Sequence, residues 1–187
     1  ELSGQFRVPS FGKSSPGSSD NDIGFLTSGL DTVTTTKEGG YVWDELTVVD
    51  SHEEKLNDDG TLTYTIKIKD DLKFSDGSAV TAKDYIAFTL ASLTPVYTEA
   101  ASRETNGQTI VGWKGAYQLY TGPDSEAGTK VLSGIHLIDE YTFSITVPAD
   151  YANYFYKIAY GGFSAEPAAA FLGECVEIMD DGEGCYL

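Results

Sequence analysis

Two stretches of the chain alternate strictly between apolar and polar residues, which is the pattern of a half-buried β-strand. In residues 61–69 the apolar side chains occupy every second position, at Leu62, Tyr64, Ile66 and Ile68. Residues 131–147 repeat this pattern on both sides of Asp139-Glu140, which suits a tight turn. We therefore predict a strand over 61–69 and a β-hairpin over 131–147.

A helical pattern lies between these stretches. Thr81 is followed three residues later by Asp84, a variant of the capping box that begins many helices. The next apolar residues, at helical spacing, are Ile86, Ala87, Leu90 and Leu93, and Pro95 cannot continue the helix. The sequence predicts a helix over 81–93, packed on one antiparallel sheet that contains both strand regions.

Weaker signals fill the remaining chain. We predict strands over 30–36 and 41–50, and helices over 23–29, 113–120, 150–160 and 166–172. Antiparallel strands with a few short helices indicate an α+β fold with an antiparallel or mixed sheet. The helix over 150–160 is rich in aromatic residues, whose spacing favours packing over carbohydrate stacking: Tyr151, Tyr154, Phe155, Tyr156 and Tyr160.

The net charge of the chain limits the classes of molecule that it can bind. A chain of 187 residues is long enough for one domain with a real core, and its formal net charge is −17. So acidic a chain repels phosphate backbones, and we expect no nucleic-acid partner. No apolar run approaches the roughly 20 residues of a membrane span.

Motifs for catalysis are missing from the sequence. His52 and His136 are the only histidines, and neither has the spacing of a metal ligand. The sequence contains no nucleophile elbow and no phosphate-binding or dinucleotide-binding glycine loop. Acidic clusters at 58–59 and 180–183 suit turns better than calcium loops. We expect no metal, no cofactor and no enzymatic activity.

Two cysteines, Cys175 and Cys185, stand near the end of the chain around a short acidic loop. A disulfide between them would suit an exported protein and would stabilise it by about 2–3 kcal/mol. The alternative is two free thiols. We predict the disulfide.

Residues 59–85 resemble a signature of the family 5 bacterial extracellular solute-binding proteins, which include oligopeptide- and dipeptide-binding components of ABC importers. The run reads DGTLTYTIKIKDDLKFSDGSAVTAKDY and gives strand, turn, short strand, turn and capped helix in the family's order. Lys67 and Lys69 stand near positions where arginine is usual. A second block, 133–143, resembles the family's hairpin, and 154–157 resembles the segment that follows it.

The resemblance implies a two-lobed periplasmic-binding-protein-like fold of class C, of which this chain is a partial domain. It implies three parts: residues 1–40 approach from the first ligand-binding lobe, 41–170 form an accessory domain, and 171–187 are a return segment. It also implies an extracytoplasmic protein, periplasmic or anchored as a lipoprotein. Such a protein is expected to be monomeric, to close about a hinge on a peptide or oligosaccharide, and to deliver it to ABC permease subunits without altering it.

Candidate ligand contacts are few because the family's main contacts come from lobes that this chain largely lacks. The best local candidate is the loop over 11–20, whose hydroxyls and amides could hold a peptide backbone. Two aromatic residues further on could be either ligand platforms or core. The candidates are Phe11, Ser14, Ser15, Asp20, Tyr97 and Trp113. A secreted hydrolase domain using two carboxylates and a surface interaction domain with exposed tyrosines remain alternatives.

Overall fold

A four-stranded antiparallel sheet forms the centre of the protein in a computed structural model that describes residues 29–94, 109–114, 116, 130–173 and 175–187. Its strands are β3 (Val49–Leu56), β4 (Leu62–Ile68), β5 (Ile135–Leu137) and β6 (Thr142–Val147), in the spatial order β3-β4-β6-β5. Every neighbouring pair is antiparallel. The predicted strand and hairpin thus share one sheet, as expected, although β5 is shorter than predicted.

The alternating pattern explains how this sheet acquires a buried face. Leu62, Tyr64, Ile66 and Ile68 are each at most 2% exposed, whereas the threonines and lysines between them are not buried. The register between β4 and β6 places Tyr64 opposite Ile145 and Ile66 opposite Phe143. Apolar positions of both strands therefore share one face, and burying that face fixes the register.

Helix α1 (Ala82–Ala91) covers that face. The rings of Tyr85 and Phe143 stack with centroids 5.5 Å apart and an interplanar angle of 17°. Ile86 and Leu90 are fully buried in the same core. The predicted helix and its packing on the sheet are confirmed, with α1 ending two residues earlier than predicted.

The chain enters and leaves this core side by side. Strands β1 (Val33–Thr35) and β2 (Tyr41–Trp43) form a separate hairpin, next to a 3₁₀ helix at Lys157–Gly161. Thr32, which is fully buried, donates its hydroxyl to the Gly161 carbonyl at 2.6 Å and accepts from the Phe163 amide at 2.8 Å. The Thr32 amide donates to the Phe163 carbonyl at 2.9 Å.

One predicted strand is divided in the structure. The stretch 41–50 was expected to be continuous, but β2 ends at Trp43 and β3 begins at Val49. Asp44 causes the turn, because its side chain accepts from the Thr47 amide at 3.0 Å and its carbonyl accepts from Val48 and Val49. Most of β3 is highly charged and exposed, as befits an edge strand, and the sequence pattern did not predict it beyond residue 50.

The aromatic helix predicted over 150–160 is wrong. The structure has a short helix α2 (Ala149–Ala152) and then the 3₁₀ helix, with Tyr154, Phe155 and Tyr156 between or beside them. These three side chains are 54%, 86% and 42% exposed and contact one another edge-on rather than filling a core. Their helical spacing was misleading because the segment turns twice within a few residues.

The C-terminal part contains helix α3 (Ala168–Leu172), which was predicted, and a small hairpin of β7 (Met179–Asp180) and β8 (Cys185–Tyr186). The predicted disulfide is absent, because both cysteines are free. Cys175 is exposed, whereas Cys185 is buried in the core, where burial raises the pKa of its thiol to about 12.

The carboxylate of Asp180 ties this hairpin to the central sheet. Its oxygens accept from the amides of Leu137 at 2.8 Å and Gly182 at 2.7 Å, and His136 Nδ1 lies 3.3 Å away. Burial alone would raise the pKa of Asp180, but these amides and His136 outweigh it, so the pKa lies below its ordinary value.

We expect Thr32→Val to lower the free energy of unfolding by about 1–3 kcal/mol. The substitution keeps the shape of the side chain but leaves the buried Gly161 carbonyl and the partly buried Phe163 amide without their partner. The measurement is the urea midpoint at unchanged slope. Thr34→Val is the matched control, since Thr34 is exposed on β1. Equal midpoints for the two variants would contradict the prediction.

We expect the stabilising contribution of Asp180 to depend on pH. Because its pKa is lowered in the folded state, the contribution is complete above the ordinary aspartate value of about 3.9 and is lost as pH falls through the folded pKa. Urea unfolding of Asp180→Asn and wild-type protein should therefore differ most near neutral pH and converge in acid. Asp181→Asn, at an exposed neighbour, should show no such convergence. A difference for Asp180→Asn that does not change with pH would argue against it.

Candidate functional site

A cleft lies between helix α1 and the segment 159–166 that follows the sheet. Its volume is about 540 Å³, within the roughly 300–1,000 Å³ that small-molecule sites span. The wall combines aromatic and aliphatic side chains with hydroxyls and one carboxyl. The residues that line it are Tyr85, Phe88, Thr89, Ser92, Thr109, Ile110, Ala159, Tyr160, Gly162, Phe163, Ser164 and Glu166.

Asp84 positions the first wall of the cleft. Its Oδ2 accepts from the Thr81 amide at 2.8 Å and the Thr81 hydroxyl at 3.0 Å, which forms the predicted capping box at the start of α1. Its Oδ1 accepts from the Ala168 amide at 2.9 Å, and its carbonyl accepts from the Glu166 amide at 3.0 Å. One residue thus holds helix α1 and the segment 166–168 together.

Residues that precede the sheet hold the second wall of the cleft, the segment 163–164, in place. Asp31 forms an isolated antiparallel bridge with Ser164, whose hydroxyl donates to the Asp31 carboxylate. Together with the Thr32 hydrogen bonds, this bridge fixes Phe163 and Ser164. The cleft is therefore built where the entering and leaving segments meet α1.

Two carboxyls lie at the cleft: Glu166 in its wall and Asp31, which accepts from the hydroxyl of Ser164. Burial raises the pKa of Glu166, and the nearby Asp31 raises it further. Burial likewise raises the pKa of Tyr85, with further contributions from Asp31, Asp84 and Asp44. Among the described residues, no lysine or arginine forms an ion pair with Asp31 or Glu166.

The hydroxyl of Tyr85 lacks the hydrogen-bond partner that buried polar groups usually have. Tyr85 is 1% exposed, and its hydroxyl has no hydrogen-bond partner. A buried hydroxyl without a partner costs about 1–3 kcal/mol. Tyr64 shares this property but does not line the cleft.

The sequence-based site prediction is only partly addressed by the structure. Five of the six candidates lie outside the described residues: Phe11, Ser14, Ser15, Asp20 and Tyr97. Trp113 is 5% exposed within the hydrophobic core, where it begins the helical turn predicted at that point. Its side chain therefore packs in the core, which is one of the two roles that the sequence left open.

Sequence reasoning missed the residues that do line the cleft. Glu166 carried no motif, and Tyr85 belonged to the pattern of a core helix. The one available signal was the capping box, which fixed where α1 starts. It could not show that the same aspartate also reaches residue 168.

The two histidines lie outside the cleft. His52 stacks on Trp43 at 4.7 Å and lies 3.1 Å from Glu45, and His136 faces Asp180. Within the described ranges, no three acidic, histidine or cysteine side chains are arranged to hold a metal ion. None of the helices that the structure describes is long and apolar enough to cross a membrane.

Comparison with known families identifies the chain. The family model described as "Bacterial extracellular solute-binding proteins, family 5 Middle" matches residues 49–179, most of the sequence. The chain therefore belongs to the family 5 bacterial extracellular solute-binding proteins. Among curated protein sequences there is no significant match.

Solved structures confirm the fold. OppA of Haemophilus influenzae, in complex with RPPGFSPFR, is 19% identical with a TM-score of 0.52 over 88% of this chain. OppA of Burkholderia pseudomallei is 20% identical with a TM-score of 0.51 over 89% of this chain. The chain covers 31% of each of these two proteins. Its α+β fold is thus that of part of a two-lobed periplasmic binding protein.

We expect Asp84→Asn to destabilise the protein by about 1–3 kcal/mol. Both carboxylate oxygens accept from backbone amides, and an amide side chain can present only one acceptor. Urea unfolding should show the loss, and native-state hydrogen exchange should show faster exchange at the Thr81 or Ala168 amide.

The matched control is Asp76→Asn. Asp76 also accepts from an amide two residues away, that of Ser78, but it is exposed. We expect this variant to change stability by no more than about 0.5 kcal/mol. Unchanged exchange at both amides in Asp84→Asn would show that the carboxylate does not join the two segments.

Proposed function

We propose that the protein containing this chain is the substrate-binding component of an ABC importer, capturing oligopeptides by hinge closure and delivering them to the permease. The observation that carries this proposal is the family match over residues 49–179. The related OppA structure bound to RPPGFSPFR supports a peptide as the ligand class. The partners are a peptide and the permease subunits, and binding leaves the peptide chemically unchanged.

The arrangement of the chain supports a division into three parts. Residues 1–40 come from the first ligand-binding lobe, residues 41–170 form an accessory domain, and residues 171–187 return toward the lobe. The pairing of Thr32 with Phe163 places the first part beside the end of the second, as the entry and exit of an inserted domain require, and the hairpin β7–β8 of the third part packs on the central sheet. The protein works outside the cytoplasm, in the periplasm or on the cell surface as a lipoprotein.

The experiment compares the full-length protein with the isolated chain. A thermal-shift screen of the full-length protein against peptides of two to nine residues and against oligosaccharides should find stabilising peptides, because a ligand that binds only the folded state raises Tm. Calorimetry with the best peptide should give tight binding to the full-length protein and none of comparable affinity to residues 1–187, since most of the clamp is outside them.

Two results would contradict the proposal. Stabilisation by oligosaccharides but by no peptide would assign a different ligand class. Equally tight peptide binding by the isolated chain would show that this part is the clamp itself, not its support.

A further inference from the structure

The cleft beside helix α1 has three properties that together suggest a ligand. It has the volume of a small-molecule site, and its walls include the rings of Phe88, Tyr160 and Phe163. It also contains the partly buried carboxyl of Glu166. A partly buried carboxyl without a cation is costly, so a bound cation would recover that cost.

The acidic residues around the cleft determine whether the bound group is a cation or an anion. Asp31 accepts a hydrogen bond from the hydroxyl of Ser164, which lines the cleft together with Glu166, so the two carboxylates give this part of the cleft a negative charge. The described part of the chain supplies no ion-pairing lysine or arginine to Asp31 or Glu166. A cation is the complement of this region, whereas an anion would be repelled.

The apolar walls of the cleft favour a ligand whose cationic group is attached to an apolar body. Aromatic rings around a small site favour an apolar or aromatic group, and their faces also attract an ammonium ion. Ser92 and Ser164 add hydroxyls that can accept from an N–H donor.

We propose that this cleft binds small amphipathic cations, a primary ammonium on an aromatic or branched apolar body, with Glu166 as the charge partner. The ammonium approaches the Glu166 carboxylate, and the apolar body lies against Phe88, Tyr160 and Phe163. The site is formed by helix α1 and the segments 109–110 and 159–166, and this proposal does not rest on the peptide clamp proposed above.

The test uses residues 1–187 and four probes: phenethylamine, phenethyl alcohol, the dipeptide Phe–Gly and N-acetyl Phe–Gly. We expect phenethylamine to bind at least tenfold more tightly than the uncharged alcohol at neutral pH, measured by calorimetry or NMR titration. The amide signals that shift in the wild-type protein should be those of residues 85–92 and 162–166. If Phe–Gly binds and its acetylated form does not, the source of the ammonium includes peptide amino termini; if only the amine binds, the source is free amines.

Substitutions separate the charge from the shape of the cleft. Glu166→Gln should weaken phenethylamine at least about tenfold, as expected for a hydrogen bond to a charged group, and leave phenethyl alcohol unchanged. Glu183→Gln removes the same charge from an exposed residue outside the cleft and should have no effect.

Three results would overturn the proposal. The first is equal affinity for the amine and the alcohol, and the second is an amine affinity that Glu166→Gln leaves unchanged. The third is a set of shifted wild-type signals elsewhere in the chain, a result that does not depend on any variant folding. None of these results bears on whether the full-length protein binds peptides, so the two proposals fail separately.

Discussion

Two distant parts of the chain donate hydrogen bonds to the carboxylate of Asp84. One oxygen accepts from the start of helix α1, and the other accepts from the start of helix α3, 84 residues later. Asp84 itself is 7% exposed, so these bonds form where water competes poorly. The helix that covers the sheet and the segment that forms the far wall of the cleft are therefore positioned relative to each other by one side chain.

The cleft depends on this joint and on the Thr32 pairing in different ways. Asp84 fixes how far α1 stands from residues 166–168, whereas Thr32 fixes the course of residues 161–163 along the incoming chain. Neither residue lines the cleft. Among the residues that line it, Glu166 has a partly buried carboxyl and Tyr85 has a hydroxyl without a partner, and both arrangements lower the stability of the fold. The hydrogen bonds of Asp84 and Thr32 on either side hold these residues in place.

Local patterns predicted the parts of the fold whose structure is determined locally. The alternation in β4 and β6 and the capping box of α1 each involve residues close in sequence, and each was confirmed, as was the sheet they share.

The sequence-based predictions were wrong where contacts between distant residues determine the structure. Charged β3 is a strand because it pairs with β4, and the aromatic segment after β6 turns at Asn153 rather than remaining helical. The predicted disulfide depended on Cys175 approaching Cys185, but Cys185 is buried in the core and Cys175 is exposed. The cleft could not be predicted, because its walls come from three separate segments, 85–92, 109–110 and 159–166, that no motif connects.

The antiparallel pairing of the entering and leaving segments also determines how the domain responds to tension. Leu30 lies beside Ala165 and Thr32 lies beside Phe163, so both flanking chains depart from the same end of the pairing. A pull that separates those chains breaks the hydrogen bonds of the pairing one after another from that end, because the force does not act on all of them at once. The chain after Ala165 is held separately, by Asp84 at residues 166 and 168 and by the hairpin β7–β8 on the central sheet. Tension applied at Leu187 would therefore load the bond between Cys185 and Leu132 before it reached the Thr32 pairing.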